Sequence, residues 1–272
     1  MSDVKICQTA ELTLWCRDQF GMDGQFRSAE NVKNVVEDVF GQAGIDLSVE
    51  VSSNSPETPG QIQTIDGNEW NNYEYDHLRD WFENFLEDGS YPFGHWSNLL
   101  LSAGDDTSGV RGRGVVGTPP WSNQPLTAVS RMGKGAANFL WSISGNSRFH
   151  DDGSAYRDVQ TAVHEIGHNI LPYVELGFVN PDDNCADDEA AHHRKGNVHH
   201  YRTTGGSTWS SESDEYAVTP MSGSTSYHEC MMFNQNNSNF CAHTVEASTG
   251  EITASDLRYS DCTVEYIEQN FE

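Results

Sequence analysis

Thr161-Ala162-Val163-His164-Glu165-Ile166-Gly167-His168-Asn169 is the stretch from which the rest of the chain is read. It contains H-E-x-x-H. If the segment is helical, one turn separates His164 from His168, so both imidazoles leave the same face and can hold one metal ion. Glu165 stands beside them, placed to take a proton from a water on that metal. The motif means this only on a helix, and the flanking residues supply one. Val159, Ala162, Val163, Ile166 and Ile170 recur at helical spacing from a start near Ser154 or Ala155, and Pro172 ends the run. The competing reading is a surface helix that carries these letters by coincidence.

Upstream, Val32, Val35, Val36, Val39 and Phe40 follow Ser28, a good N-cap, and predict an amphipathic helix stopped by Gly41. Residues 45–51 (Ile-Asp-Leu-Ser-Val-Glu-Val) alternate strictly and predict a strand with one buried face. Residues 52–75, with Pro56, Pro59 and Gly60, read as a loop. Leu78, Trp81, Phe82, Phe85 and Leu86 form the stripe of a second helix ended by Gly89. The apolar run 98–102 predicts a central strand. Residues 104–109 read as a turn, a solvated loop with calcium binding as a weaker alternative. Residues 114–117 and 126–130 predict the remaining strands, the glycine-rich first of them, flanked by Arg111 and Arg113, suiting an edge. The outcome is a mixed α/β lobe over 1–172, a twisted sheet with the H-E-x-x-H helix against it.

After Pro172 the composition turns polar, rich in Ser, Asn, Asp and Gly, with four of the six cysteines. Residues 173–272 therefore read as a loop-rich second lobe of one catalytic domain, held by disulfides, with a short helix over 264–271. No internal repeat is present. Cys7/Cys16 and Cys230/Cys241 are the economical local pairings, and reduced buried thiols are the alternative. No apolar run reaches membrane-spanning length, and the N-terminus lacks the basic-then-apolar pattern of a signal peptide. Disulfides sit uneasily with the lack of a leader: either a start Met has replaced one, or the protein reaches the outside by another route, such as a component of a virus particle.

Charge is the outstanding bulk property. Forty-one acidic residues face 15 basic ones, for a net −26. Self-repulsion of this size is tolerable only under strong screening. The acidic residues are spread along the chain, which resembles the surfaces of extreme halophiles, an ordinary acidic secreted enzyme being the alternative. Nucleic acid is excluded as a partner, because no basic patch exists to neutralise phosphates. The aromatic content (7 Trp, 10 Tyr, 12 Phe) argues for an ordered core.

A catalytic zinc site takes three protein ligands and a water. Downstream of His168 the residues alone leave the third ligand open among Asp187, Asp188, Glu189, His192, His193, His199 and His200.

The order helix, alternating strand, edge strand and then H-E-x-G-H-N resembles the zincin peptidases, in particular the metzincin clan. Metzincins continue as H-E-x-x-H-x-x-G-x-x-H and carry a methionine turn further on. This chain departs from that pattern. Leu171 stands where the glycine belongs and Val174 where the third histidine belongs, so an insertion must follow the helix. His193-Arg194-Lys195-Gly196 would supply a histidine ahead of a glycine after it. Thr219-Pro220-Met221-Ser222, 28 residues past His193, is similar to the methionine turn. The resemblance therefore implies a zincin-like fold and one catalytic Zn2+ on His164, His168 and His193. Met221 would be a hydrophobic floor and Glu165 the general base. A gluzincin-like arrangement would instead use Asp188, 20 residues past His168, or its neighbour Glu189.

The activity implied by the resemblance is that of a zinc-dependent endopeptidase acting on protein or peptide. Tyr227 or Tyr201 would be the candidate oxyanion stabiliser, beside a plain packing or surface role. Asn169 is expected to hydrogen-bond across the start of the connecting loop. Two other functions fit the same letters. One is a structural or adhesive component of a surface or virion (tail) assembly. The other is a zinc hydrolase of a non-peptide cell-envelope substrate.

Overall fold

The computed structural model describes residues 3–58, 61–65, 68–72, 75–88, 94, 96–103, 112–114, 126–132, 149–150, 154–170, 198–204, 213–222, 251–259 and 264. The chain divides into two compact units, Met1–Ser144 with Ser154–Pro172, and Gly145–Gly153 with Tyr173–Glu272.

The first unit is a mixed α/β fold. Its strands are β1 (Val4–Gln8), β2 (Val49–Val51), β5 (Ser97–Ser102), β6 (Gly112–Gly114) and β7 (Thr127–Arg131), beside a hairpin of β3 (Gln61–Ile65) and β4 (Asn68–Asn72). Its helices are α1 (Ala10–Phe20), α2 (Arg27–Gln42), α3 (Tyr75–Glu87) and α4 (Ser154–Ile170). The five-stranded sheet runs in the order β2-β1-β5-β7-β6. The first four strands are mutually parallel, and β6 closes the edge antiparallel to β7.

Successive side chains along a strand point to opposite faces, so the sheet carries a different helix on each. Cys7, Leu100 and Val129 face α3, whose Tyr75, Leu78, Phe82 and Leu86 are fully buried against them, with Trp81 and Phe85 packed at the margin. Burying one such side chain contributes roughly 1.5–3 kcal/mol. Ser97 points to the other face, where α4 packs on β5, β6 and β7. The whole predicted stripe of α4, Val159 to Ile170, is buried.

Several expectations need correction. The first strand and helix, β1 and α1, carry no local pattern that announces them. All five residues of β1 are buried, including Lys5 and Gln8. The Lys5 ammonium meets Glu50 at 3.0 Å, and Gln8 is tied through Nε2 to Gln25 O and Thr13 Oγ1. These long-range partners let polar letters sit in a central strand. The strand expected over 45–51 is only β2, and the loop expected over 52–75 contains the β3–β4 hairpin. Ser28 is not the N-cap of α2. Phe26 precedes the helix, and the Ser28 hydroxyl is buried 3.4 Å from Cys16 Sγ. Nor does Gly41 stop that helix, which continues to Gln42.

Cys7 and Cys16 are not paired. Both are buried free thiols, Cys7 in the α3 core and Cys16 between α1 and α2. Cys185, Cys230, Cys241 and Cys262 lie outside the described residues, as do the 104–109 turn and all but one residue of the expected helix over 264–271.

The second unit contains a four-stranded sheet that its polar composition did not announce. Its order is β8 (Phe149–His150), β11 (Glu251–Asp256), β10 (Ser213–Val218) and β9 (Val198–Thr204). β10 pairs antiparallel with β9 and parallel with β11. Leu257 and Tyr259 are buried beyond β11, and Met221 is buried in the 3-10 turn Pro220–Ser222 after β10. Among the described residues no helix is long and apolar enough to cross a membrane.

Candidate metal centre

α4 carries the centre. Its apolar stripe fixes which side faces the sheet, and that rotation decides where His164, Glu165 and His168 project. The two histidines lie on one face, one turn apart, with their Nε2 atoms 2.9 Å from each other. Their rings are near-perpendicular, at 88° with centroids 4.5 Å apart. His164 and His168 are partly buried, whereas Glu165 is buried at 5% exposure.

Glu165 is covered by the edge strand. A Cβ placed on Gly112 would lie 2.6 Å from Oε1 and 2.7 Å from Cγ of Glu165. One on Gly114 would lie 2.8 Å from the Glu165 carbonyl oxygen and 2.9 Å from Cβ of His168. Only glycine allows the strand this close to the helix. The alternation of a strand puts 112 and 114 on the same face, so both glycines look at α4. The expected strand at 114–117 includes Gly114 but misses Gly112, although the G-x-G at 112–114 is a signal that could have found it.

Asn169 does not bridge the connecting loop. Its Nδ2 donates to Ser97 Oγ at 2.7 Å, pinning the end of α4 to the central strand β5, while its buried Oδ1 has no hydrogen-bond partner. Ser97 is buried as well.

The donor set suits a metal ion as far as it is described. Two imidazole nitrogens lie 2.9 Å apart, with a carboxylate on the residue after His164, a donor set that could contribute two ligands to a metal ion. Among the described residues no third His, Cys, Asp or Glu joins them. His192, His193, Asp187, Asp188, Glu189 and Tyr227 lie outside those residues. His199, His200 and Tyr201 are on β9 of the second unit, where His200 pairs with Tyr216 and His199 with Ala217. Met221 is in that unit too, in the buried turn following Val218 and Thr219.

No protein-family model matches the sequence, and no curated relative matches it. Among solved structures the chain is similar to the crystal structure of metalloproteinase-II from Bacteroides fragilis, with 12% identity and a TM-score of 0.32. The likeness covers 61% of this chain and 40% of that one, so the chain spans under half the length of that protein.

Proposed function

We propose that this chain is a zinc-dependent endopeptidase of the zincin type, metzincin-like in its ligand order. The observation that carries the reading is the His164–His168 pair, 2.9 Å apart at Nε2, with Glu165 held between its helix and the edge strand. His164 and His168 would hold the metal, with His193 as the third ligand, as the resemblance implies. Met221 would form the floor of the site and Tyr227 would stabilise the oxyanion. Bound zinc supplies a Lewis acid that polarises a carbonyl and brings the pKa of water to about 7.

The remaining work falls to the chain's own groups. Glu165 takes the proton from the attacking water and passes it to the departing amine nitrogen, so one carboxylate serves as base and then acid. Its burial keeps that carboxylate out of bulk water, where a developing charge is stabilised less. Among the described residues β6 ends the sheet, and an extended peptide pairing with it would add a strand running past Glu165. Main-chain pairing of this kind suits a protein or peptide substrate. The net charge of −26 supports a high-salt working environment.

The test is zinc content and casein cleavage at multimolar salt, for wild type and Glu165→Gln in parallel. The expected result is about one zinc in each protein, with turnover lost about 10²- to 10⁴-fold in the variant. Zinc in both proteins and cleavage by neither would replace the peptidase reading with an assembly component. A wild-type protein without zinc would remove the metal centre altogether.

A further inference from the structure

We infer that Gly112 is a positioning residue for the Glu165 carboxylate, the missing side chain at 112 being the space that this carboxylate occupies. The inference rests on the zinc-peptidase reading, but its evidence is the packing of β6 on α4.

Both glycines of the edge strand face the helix, and any Cβ there would come closer than 3.0 Å to its neighbours. They differ in what would have to yield. At Gly114 the obstacles are the Glu165 carbonyl oxygen at 2.8 Å and His168 Cβ at 2.9 Å, with Oε2 further off at 3.1 Å. The first two atoms belong to the helix frame. A methyl group at 114 must therefore lift the strand from the helix. At Gly112 the obstacles are Oε1 and Cγ of Glu165, at 2.6 and 2.7 Å, and Cγ2 of Thr161 at 2.8 Å. These are side-chain atoms, and the Glu165 carboxylate is the group with torsions free to move it. A methyl group at 112 displaces the carboxylate and leaves the backbone of α4, with both imidazoles, in place.

The same contact assigns Thr161 a part. It stands one turn before Glu165 on α4, and its methyl closes the other side of the space above Gly112. Glycine at 112 thus sets the rotamer of the base without touching substrate or metal. A misplacement of about 1 Å at a reacting group is enough to cost about 100-fold in rate.

The experiment loads wild type, Gly112→Ala, Gly114→Ala and Glu165→Gln with Co2+ in place of zinc. It records the visible spectrum and then steady-state casein cleavage at multimolar salt. The expected result for Gly112→Ala is full cobalt uptake with a spectrum shifted in the direction of Glu165→Gln. Its kcat should fall about 100-fold with KM unchanged. Adding Thr161→Ser should not restore it, since the carboxylate clash remains. A Gly112→Ala protein with the wild-type spectrum and kcat overturns the inference and leaves the zinc reading intact. A wild type that takes up no cobalt overturns both.

A folding measurement stands beside it, independent of metal. The urea midpoint lost by Gly112→Ala should be regained in part in a Glu165→Ala background, where Oε1 and Cγ are gone and the Thr161 methyl alone still crowds the new Cβ. That lost by Gly114→Ala should not be regained, because its obstacles are a backbone oxygen and the Cβ of His168. Equal losses for Gly112→Ala in the two backgrounds would also overturn the inference.

Discussion

Asn169 donates from Nδ2 to Ser97 Oγ at 2.7 Å, joining the last turn of the H-E-x-x-H helix to the first residue of the central strand. The two residues are 72 positions apart, and both are buried. One residue after His168, this bond limits how far the helix can slide along the sheet. Removing its acceptor with Ser97→Ala leaves a buried amide donor unsatisfied, which costs about 1–3 kcal/mol. Asn169→Asp does more harm. It places a carboxylate where the second oxygen already has no partner, so burial of a charge adds to loss of the donor. Several kcal/mol are expected for Asp and about 1–3 for Ser97→Ala, read as urea midpoints at constant salt. An Asn169→Asp protein as stable as wild type would mean that the site is wet.

Cys7 makes the pH dependence of the first unit testable. Burial in the α3 core pushes its thiol up to about 11 from the usual 9.0, against smaller lowering effects of the Ser52 hydrogen bond and the Lys5 charge. The folded state thus holds the proton more tightly than the unfolded state. The resulting stability is fully present below pH 9, and it is lost as pH rises from about 9 toward about 11. The loss amounts to about 2–3 kcal/mol. Comparing the urea midpoints of wild type and Cys7→Ala between pH 8 and 11 isolates the thiol. Wild type should fall more steeply. Parallel curves would show that Cys7 ionises freely.

The helices that position the centre were legible because their information is local. The stripes of α2, α3 and α4 each lie within one run of residues, and the apolar run at 98–102 announces β5. What escaped reading depends on partners far along the chain. Lys5 and Gln8 look like surface letters until Glu50 and Gln25 are brought to them. The G-x-G of β6 looks like a loose edge until α4 is laid over it. The proposed third metal ligand belongs to the same category. Many donors come after His168, and spacing alone does not choose among them once the chain turns back on itself.

Salt should govern stability more than any single contact. The ion pairs formed by Arg17 with Asp18, Lys33 with Glu37 and Arg79 with Asp80 are at least partly exposed, and such pairs contribute little. They leave the net −26 uncompensated, so self-repulsion acts on the whole fold. The screening length falls from about 10 Å at 0.1 M salt to about 3 Å at 1 M. The melting temperature should therefore climb steeply between these concentrations. Replacing a set of exposed acidic residues, such as Asp18, Asp23, Asp46 and Asp88, with Asn or Gln should flatten that dependence. A melting temperature indifferent to salt in wild type would refute the screening argument.

The end of α2 supplies a prediction with opposite signs at two glycines three residues apart. Gly41 is inside the helix, exposed, with no atom within 4 Å of where its Cβ would be. Glycine in a helix interior costs about 0.5–1 kcal/mol relative to alanine, so Gly41→Ala should stabilise by that amount. Gly44 is the residue that turns the chain. Its φ is +78°, its N–H bonds to the Gly41 carbonyl at 3.0 Å, and the Ile45 N–H bonds to the Phe40 carbonyl at 3.0 Å. These two bonds form the cap in which a left-handed residue closes a helix. Alanine at 44 has free space but the wrong backbone preference, so Gly44→Ala should destabilise by about 1–2 kcal/mol. Urea denaturation of the two variants at one salt concentration decides the matter. If Gly41→Ala is the harmful change and Gly44→Ala the neutral one, the helix ends at Gly41, as the glycine alone suggests.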